Sequence, residues 1–404
     1  MKIEILSIGD ELLKGITVNT NAAFISHALH AYGYDVCRQV TVTDEPMHLD
    51  TELRAALARN AVIIATGGLG PTLDDRTRKI AACLFGSDFH YDEQIAADLK
   101  RRFGEGLTSL KDQATVPTKA HIIQNPVGTA PGFIFTTDGK TLILLPGVPF
   151  EMQPMLVEQV IPYLLKKHPP KQPKALRQFF LCLLNENQVD PILRELNIHF
   201  PEVEAGIYPG YGTLTVSLVS KNAAQLDAFE KELRTSFANH LYSTSSQKIE
   251  EELHTWFIAN KRKLALAESC TGGMMAERLT AIPGASDYFL GSFVVYSNAL
   301  KVHALGVSEA TLKKEGAVSE QAVQEMLGGL FKHTEADYAI AVSGIAGPTG
   351  GTPDKPVGTV WIGTAKRNEK ADISLIHAKG NRQTIILTAT QTALAMLWRH
   401  TTKA

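Results

Sequence analysis

Apolar residues along the chain fall into short runs that alternate with amphipathic stretches, and the alternation recurs in three blocks. Ile3 to Ile8 alternates apolar and polar residues and stops at Gly9-Asp10-Glu11, the pattern of a strand entering a turn. Asn19-Thr20-Asn21 then opens a stretch with Phe24, Ile25, Ala28 and Leu29 at helical spacing. Tyr34 to Val42 predicts a second strand, Leu49 to Arg59 a helix, and Ala61 to Ala65 a buried strand. Leu142 to Leu145 predicts another, ending in Pro146-Gly147-Val148-Pro149-Phe150-Glu151. A Pro/Lys-rich segment, Lys166 to Pro173, closes this block as a linker.

The second block predicts strands at Arg177 to Leu184 and Leu214 to Val219. Helices are expected at Val189 to Leu196 and Ala223 to Phe237. Gly206 to Gly212 reads as a turn, and a spacer or dimer contact is the expected role of this small unit. The third block returns to strand–helix alternation. A helix is expected at Glu250 to Asn260 and strands at Leu264 to Ala267, Tyr288 to Tyr296, Asp337 to Val342 and Val357 to Thr364. Asn298 to Leu305 predicts a short helix, Ser343 to Pro348 a tight loop, and Thr349 to Pro356 a flexible one. The fold class is therefore α/β: two doubly wound domains, 1–167 and 247–404, joined by a small α+β domain, 168–246. A chain of 404 residues accommodates that many cores.

Composition narrows the function classes. Net charge is −2, so no global basic field favours nucleic acid or a membrane surface. Cys37, Cys83, Cys182 and Cys270 are scattered, which fits neither a zinc site nor a disulfide framework. With no apolar leader and no long apolar run, a cytoplasmic location is expected.

Candidate chemistry gathers in two stretches. The first is Thr66-Gly67-Gly68-Leu69-Gly70-Pro71-Thr72, a glycine-rich loop after a strand whose backbone N–H groups can close on a phosphate. It is neither a Walker A loop nor a dinucleotide fingerprint. Asp74 and Asp75 follow directly, and paired carboxylates beside a phosphate cradle imply a divalent metal shared with substrate oxygens. Glu11, Asp75 and Glu151 each lie just beyond a strand end and can converge there. The second stretch is Ala267-Glu268-Ser269-Cys270-Thr271-Gly272-Gly273. A serine where a strand passes into a helix is a place for a nucleophile on strained, exposed backbone, and Ser-x-Thr is equally an ordinary helix cap. Glu268 reads as orienting its neighbours. His303, His333 and His377 lack catalytic spacing, which leaves Lys301, close after Tyr296, as a proton acceptor of lowered pKa.

These motifs carry a resemblance. G-D-E-L-L-K-G, T-G-G-L-G-P-T-x-D-D-x-T, N-P-x-G-x-A-P-G and L-P-G-V-P-x-E-M resemble the molybdopterin-binding (MoCF-like) domain of the competence/damage-inducible protein CinA family. A-E-S-C-T-G-G, Y-S-N-x-x-K, G-A-V-S, S-G-I-A-G-P and K-P-V-G-T-V resemble that family's C-terminal nicotinamide-nucleotide amidase domain. The resemblance implies hydrolysis of nicotinamide mononucleotide to nicotinate mononucleotide and ammonia, without a cofactor. Ser269 is then the nucleophile, activated by Lys301 and Tyr296. Thr271, Gly272, Gly273, Ser343, Gly344, Gly347 and Arg382 are implied on the substrate. For the first block it implies cleavage of ADP-ribose to AMP and ribose 5-phosphate, with Mg or a similar metal at Asp75, Asp10, Glu11 and Glu151. Gly67, Gly68, Gly70, Thr72, Asp74, Asn125 and Gly128 would hold the nucleotide. The middle block is implied to be a KH-type module, yet it lacks a G-x-x-G loop and a basic face, so no nucleic-acid partner is expected. A homodimer is the expected assembly. Leu73, Asn185 to Asp190 and Gly380-Asn381-Arg382 depart from the family pattern. The alternatives are an ADP-ribose pyrophosphatase alone and a non-catalytic pterin- or nucleotide-binding regulator.

Overall fold

In the computed structural model, which describes residues 2–72, 75–170 and 174–402, the two compact units are 1–176 and 177–404. The first unit holds a six-stranded sheet in the order Asp35–Val42, Lys2–Ile8, Val62–Thr66, Lys140–Leu145, Gly132–Thr137, His121–Ile123. The first four strands run parallel and the last two pair antiparallel, so the doubly wound core carries an antiparallel edge. Alternation along the strands explains burial on both faces. Ile3, Ile5, Ile64 and Ile143 pack with Ile25, Leu29 and Met152; Leu6, Ile63, Ala65 and Leu144 pack with Leu49, Leu53 and Ala81. Asn19 caps the first long helix, Thr20–Ala31, by accepting from Ala22 N–H.

The second unit begins with a four-stranded sheet, Glu204–Pro209, Thr213–Ser220, Ala175–Cys182 and Leu241–Ser243, with helices Glu186–His199 and Ala223–Ser236. The Gly206 to Gly212 stretch is a turn only at its end, because Glu204–Pro209 pairs antiparallel with Thr213–Ser220. The departure at Asn185 has a local cause: Asn185 and Gln188 form a reciprocal capping box on the Glu186–His199 helix. Phe180, Cys182 and Tyr242 share a core with Phe257, Leu266 and Leu394, so this module is packed onto its neighbour and is more than a spacer.

The second sheet runs Phe289–Val294, Leu264–Glu268, Tyr338–Gly344, Thr359–Lys366, Asp372–His377. The first three strands are parallel and the last two antiparallel. One face presents Leu264, Leu266, Ile340 and Val342 to Phe257 and Leu394. The other presents Ala265, Ala267, Ala339 and Ala341, whose small side chains let the Glu320–His333 helix approach closely. Asn381 caps the closing helix, Arg382–Thr402, by accepting from Thr384 N–H at 2.9 Å. Among the described residues, no helix is long and apolar enough to cross a membrane.

Candidate active site

In the larger sheet of each unit the order reverses beside one strand, the switch point at which open α/β sheets take ligands at the strands' carboxyl ends. In the second unit the reversal lies between Leu264–Glu268 and Tyr338–Gly344, and Ser269 sits at it, its N–H donating to Val342 O at 3.1 Å. The chain turns at once into the Met274–Thr280 helix. The strain expected at the serine falls elsewhere: Gly272 and Gly273 take the left-handed φ values, 62° and 101°, and Ser269 itself is 8% exposed. Thr271 does not cap the helix. Its hydroxyl is buried without a partner, because the carboxylate of Glu268 has taken the position.

Ser297 caps the Asn298–Leu305 helix by accepting from Leu300 N–H, and so places Lys301 on the first turn, pointing inward. Lys301 is 1% exposed. Its Nζ lies 3.0 Å from Ser269 Oγ, 2.8 Å from Val295 O and 3.4 Å from Tyr296 O. Burial pushes its pKa below the ordinary lysine value, offset in part by the neighbouring Cys270. The geometry suits both protonation states. A neutral amine gives its two N–H bonds to the carbonyls and turns its lone pair to the serine hydroxyl; the ammonium donates to all three oxygens. Cys270 is no rival nucleophile, since burial drives its thiol up to about 12.

Tyr296 stands differently from its expected role. Its carbonyl contributes to the lysine's seat, while its exposed hydroxyl accepts from Arg382 Nη2 at 2.7 Å, and no hydrogen bond joins it to Ser269 among the described residues. Arg382 Nη1 also donates to Gly347 O at 2.8 Å, so Arg382 ties the Tyr296 side chain to the backbone at Gly347. Ser343 and Gly344 end a strand instead of forming a loop. Ser343 Oγ donates to Ala317 O at 2.7 Å, and Gly344 leaves room for Cys270 Sγ. The Thr349 to Pro356 segment is pinned, with Lys355 Nζ donating to Glu315 O and Val318 O. Gly272 N–H is occupied by Ser269 O and Gly273 N–H by Glu268, which removes both from the expected oxyanion and phosphate donors. The Thr271 amide has no acceptor among the described residues and remains one. Ser292, which donates to Glu268 at 2.9 Å, was not readable as functional from its strand pattern.

In the first unit the reversal lies between Lys2–Ile8 and Val62–Thr66. A cavity of about 570 Å³ opens there, lined by Gly67, Gly68 and Gly70 together with Glu11, Asp75 and Glu151. Gly67, at φ 109°, approaches so closely that a Cβ would stand 2.2 Å from Ile8 O. Gly67→Ala is therefore expected to cost about 3 kcal/mol, read as a lower unfolding midpoint of this unit. Asn125 is the buried hub of the facing loop. Its Nδ2 donates to Glu151 Oε2 at 2.7 Å and to Ala130 O, and its Oδ1 accepts from Val127 and Gly128 N–H. Gly128 lies against the Glu151 carboxylate. Thr72 is not on the wall: its N–H and hydroxyl hold Asp75 Oδ2 at 2.9 and 2.6 Å. Asp10 also lies off the wall. Lys14 pairs with its Oδ2 at 2.7 Å and holds its carboxyl below the ordinary range, with Thr43 adding to the effect. Leu73 and Asp74 lie outside the described residues. No group of three His, Cys, Asp or Glu stands together as a cation cage among the described residues. What the cavity offers is carboxylates beside a phosphate-sized glycine loop, the donor set of an ion that completes its shell with substrate oxygens.

The fold and the two strand-end sites define an α/β protein of two units, one with a glycine-loop cavity and one with a buried Ser–Lys pair. The chain belongs to the CinA family. Residues 246–401 match the CinA C-terminal domain and residues 4–166 a probable molybdopterin binding domain. A putative competence-damage inducible protein of Caldicellulosiruptor saccharolyticus is 38% identical over 98% of this chain and 98% of its own length. A CinA-like protein of Thermotoga maritima is 40% identical over 89% of each chain. The solved structure titled as the protein CinA with unknown function from Thermoplasma acidophilum is 39% identical, covering 40% of this chain and 96% of its own, with a TM-score of 0.38.

Proposed function

We propose that the second unit is an amidohydrolase acting on the carboxamide of nicotinamide mononucleotide, releasing nicotinate mononucleotide and ammonia. The observation that carries this reading is the 3.0 Å contact between the buried Lys301 Nζ and Ser269 Oγ. Lys301 takes the hydroxyl proton as Ser269 attacks the carboxamide carbon, and returns it to the departing ammonia. Water then cleaves the acyl-serine by the same proton relay. The Thr271 amide serves the oxyanion of the tetrahedral intermediate. Arg382 is the cation available to the substrate phosphate, its Nε free of hydrogen bonds among the described residues. The test is ammonia release from nicotinamide mononucleotide by the intact chain; no ammonia above the buffer blank sinks the reading.

The cavity of the first unit favours a second activity, hydrolysis of ADP-ribose to AMP and ribose 5-phosphate with a divalent metal. Asp75 and Glu151 are the residues that would hold the ion, which would supply charge neutralisation at the pyrophosphate. Asn125 and Thr72 fix those carboxylates. Asp75→Asn is expected to lower AMP formation at least a hundredfold while leaving ammonia release intact, measured by chromatography of the two products. AMP formation that survives both this change and chelation by EDTA removes the metal from the proposal.

A further inference from the structure

The helix after Ser269 begins with its donors already satisfied from within. Glu268 is fully buried, and its two carboxylate oxygens accept four hydrogen bonds. Oε2 takes Gly273 N–H at 3.0 Å and Met275 N–H at 3.1 Å; Oε1 takes Ala276 N–H at 3.1 Å and Ser292 Oγ–H at 2.9 Å. Among the described residues no ion pair reaches this carboxylate, and its charge is met by the positive end of the helix and by four donors. The backbone of the same residue is equally committed: Val295 N–H donates to Glu268 O at 2.8 Å, and Val295 O in turn seats Lys301.

We infer that Glu268 is the positioning residue of the Ser–Lys pair. It clamps the turn that carries Ser269 to the helix on one side and, through Ser292, to the strand leading to the lysine's seat on the other. The distance between nucleophile and base is then set by this carboxylate, which touches neither substrate nor lysine. The inference rests on the reading of Ser269 as nucleophile. Its specific content is that four acceptances are required and that shape alone is insufficient. A glutamine of the same size has to turn its NH₂ either towards Gly273 and Met275 N–H or towards Ala276 N–H, so at least one backbone donor loses its acceptor.

The experiment compares Glu268→Gln and Ser292→Ala with wild type and Ser269→Ala for ammonia release from nicotinamide mononucleotide. Glu268→Gln is expected to lower kcat about a hundredfold and Ser292→Ala several-fold. KM should stay within twofold in both, and the pH at which kcat levels off should be unchanged, because Lys301 keeps its carbonyl seat. If Glu268→Gln does not fold, Ser292→Ala, which removes one donor and leaves the charge, decides alone. Wild-type kcat in Ser292→Ala and in any folded Glu268→Gln overturns the inference. So does a rise in KM at constant kcat, or a shifted pH profile, which would make the carboxylate a substrate contact or a field on the lysine. Full activity in Ser269→Ala would instead overturn the nucleophile reading, so the two failures are told apart.

Discussion

Ser269→Ala is expected to abolish ammonia release, lowering kcat by about 10⁴-fold or more with the fold intact. The side chain is small and nearly buried, and the turn is held by backbone and by Glu268, so loss of the hydroxyl leaves the architecture in place. What it removes, on the proposed mechanism, is the atom that would form the covalent bond. The residual rate then reflects binding and the oxyanion donors alone. The measurement is kcat and KM with nicotinamide mononucleotide, alongside the thermal midpoint. An unchanged midpoint with full kcat would exclude Ser269 as nucleophile. Thiol chemistry at Cys270 is not a fallback, because desolvation keeps that sulfur protonated near neutral pH.

Periodicity placed the parallel strands of both larger sheets, but not the Gly132–Thr137 and Asp372–His377 strands or the Glu320–His333 and Arg382–Thr402 helices. The alternation at Ile3 to Ile8 and the apolar runs at Ala61 to Ala65 and Leu264 to Ala267 translate directly into strands buried on both faces. Such runs leave little ambiguity when bounded by glycine turns. The strand-end position of the site residues was legible too, because glycine and serine cluster where a parallel strand must turn into a helix. What could not be read is which atoms meet. Ser-x-Thr looks like a cap, and nothing local shows that the preceding glutamate takes that role; it requires the carboxylate to fold back over the turn, at five to eight residues' separation. Tyr296 was expected to help activate the serine hydroxyl, yet its own hydroxyl is held by an arginine 86 positions away. Asp10 shares its motif with Glu11, but a lysine one helical turn later captures its charge. Long-range pairing of polar side chains carries no periodic signature, so sequence patterns name the candidates without assigning their partners.

Replacing Lys301 separates charge from basicity. Lys301→Met is expected to lower kcat about a thousandfold, the scale of a lost general base. Lys301→Arg should be equally inactive although it keeps the positive charge, because a guanidinium stays protonated and cannot accept the serine proton. In wild type, burial lowers the lysine pKa from its ordinary value of 10.5, so the rate should rise with pH below the folded-state pKa and level off above it. Stability must follow the same group. Between the lowered folded pKa and the ordinary value the unfolded chain binds more protons, so this site's contribution to stability grows with rising pH through that window. It is least favourable below the folded pKa, where the ammonium is buried. Methionine removes that cost but leaves the Val295 and Tyr296 carbonyls without their donor, so the midpoint of Lys301→Met relative to wild type should be highest at low pH and fall as pH rises. A midpoint lowered equally at every pH, with activity lost, would make Lys301 a structural prop. A variant that follows the expected trend, loses turnover and flattens the pH profile identifies it as the base.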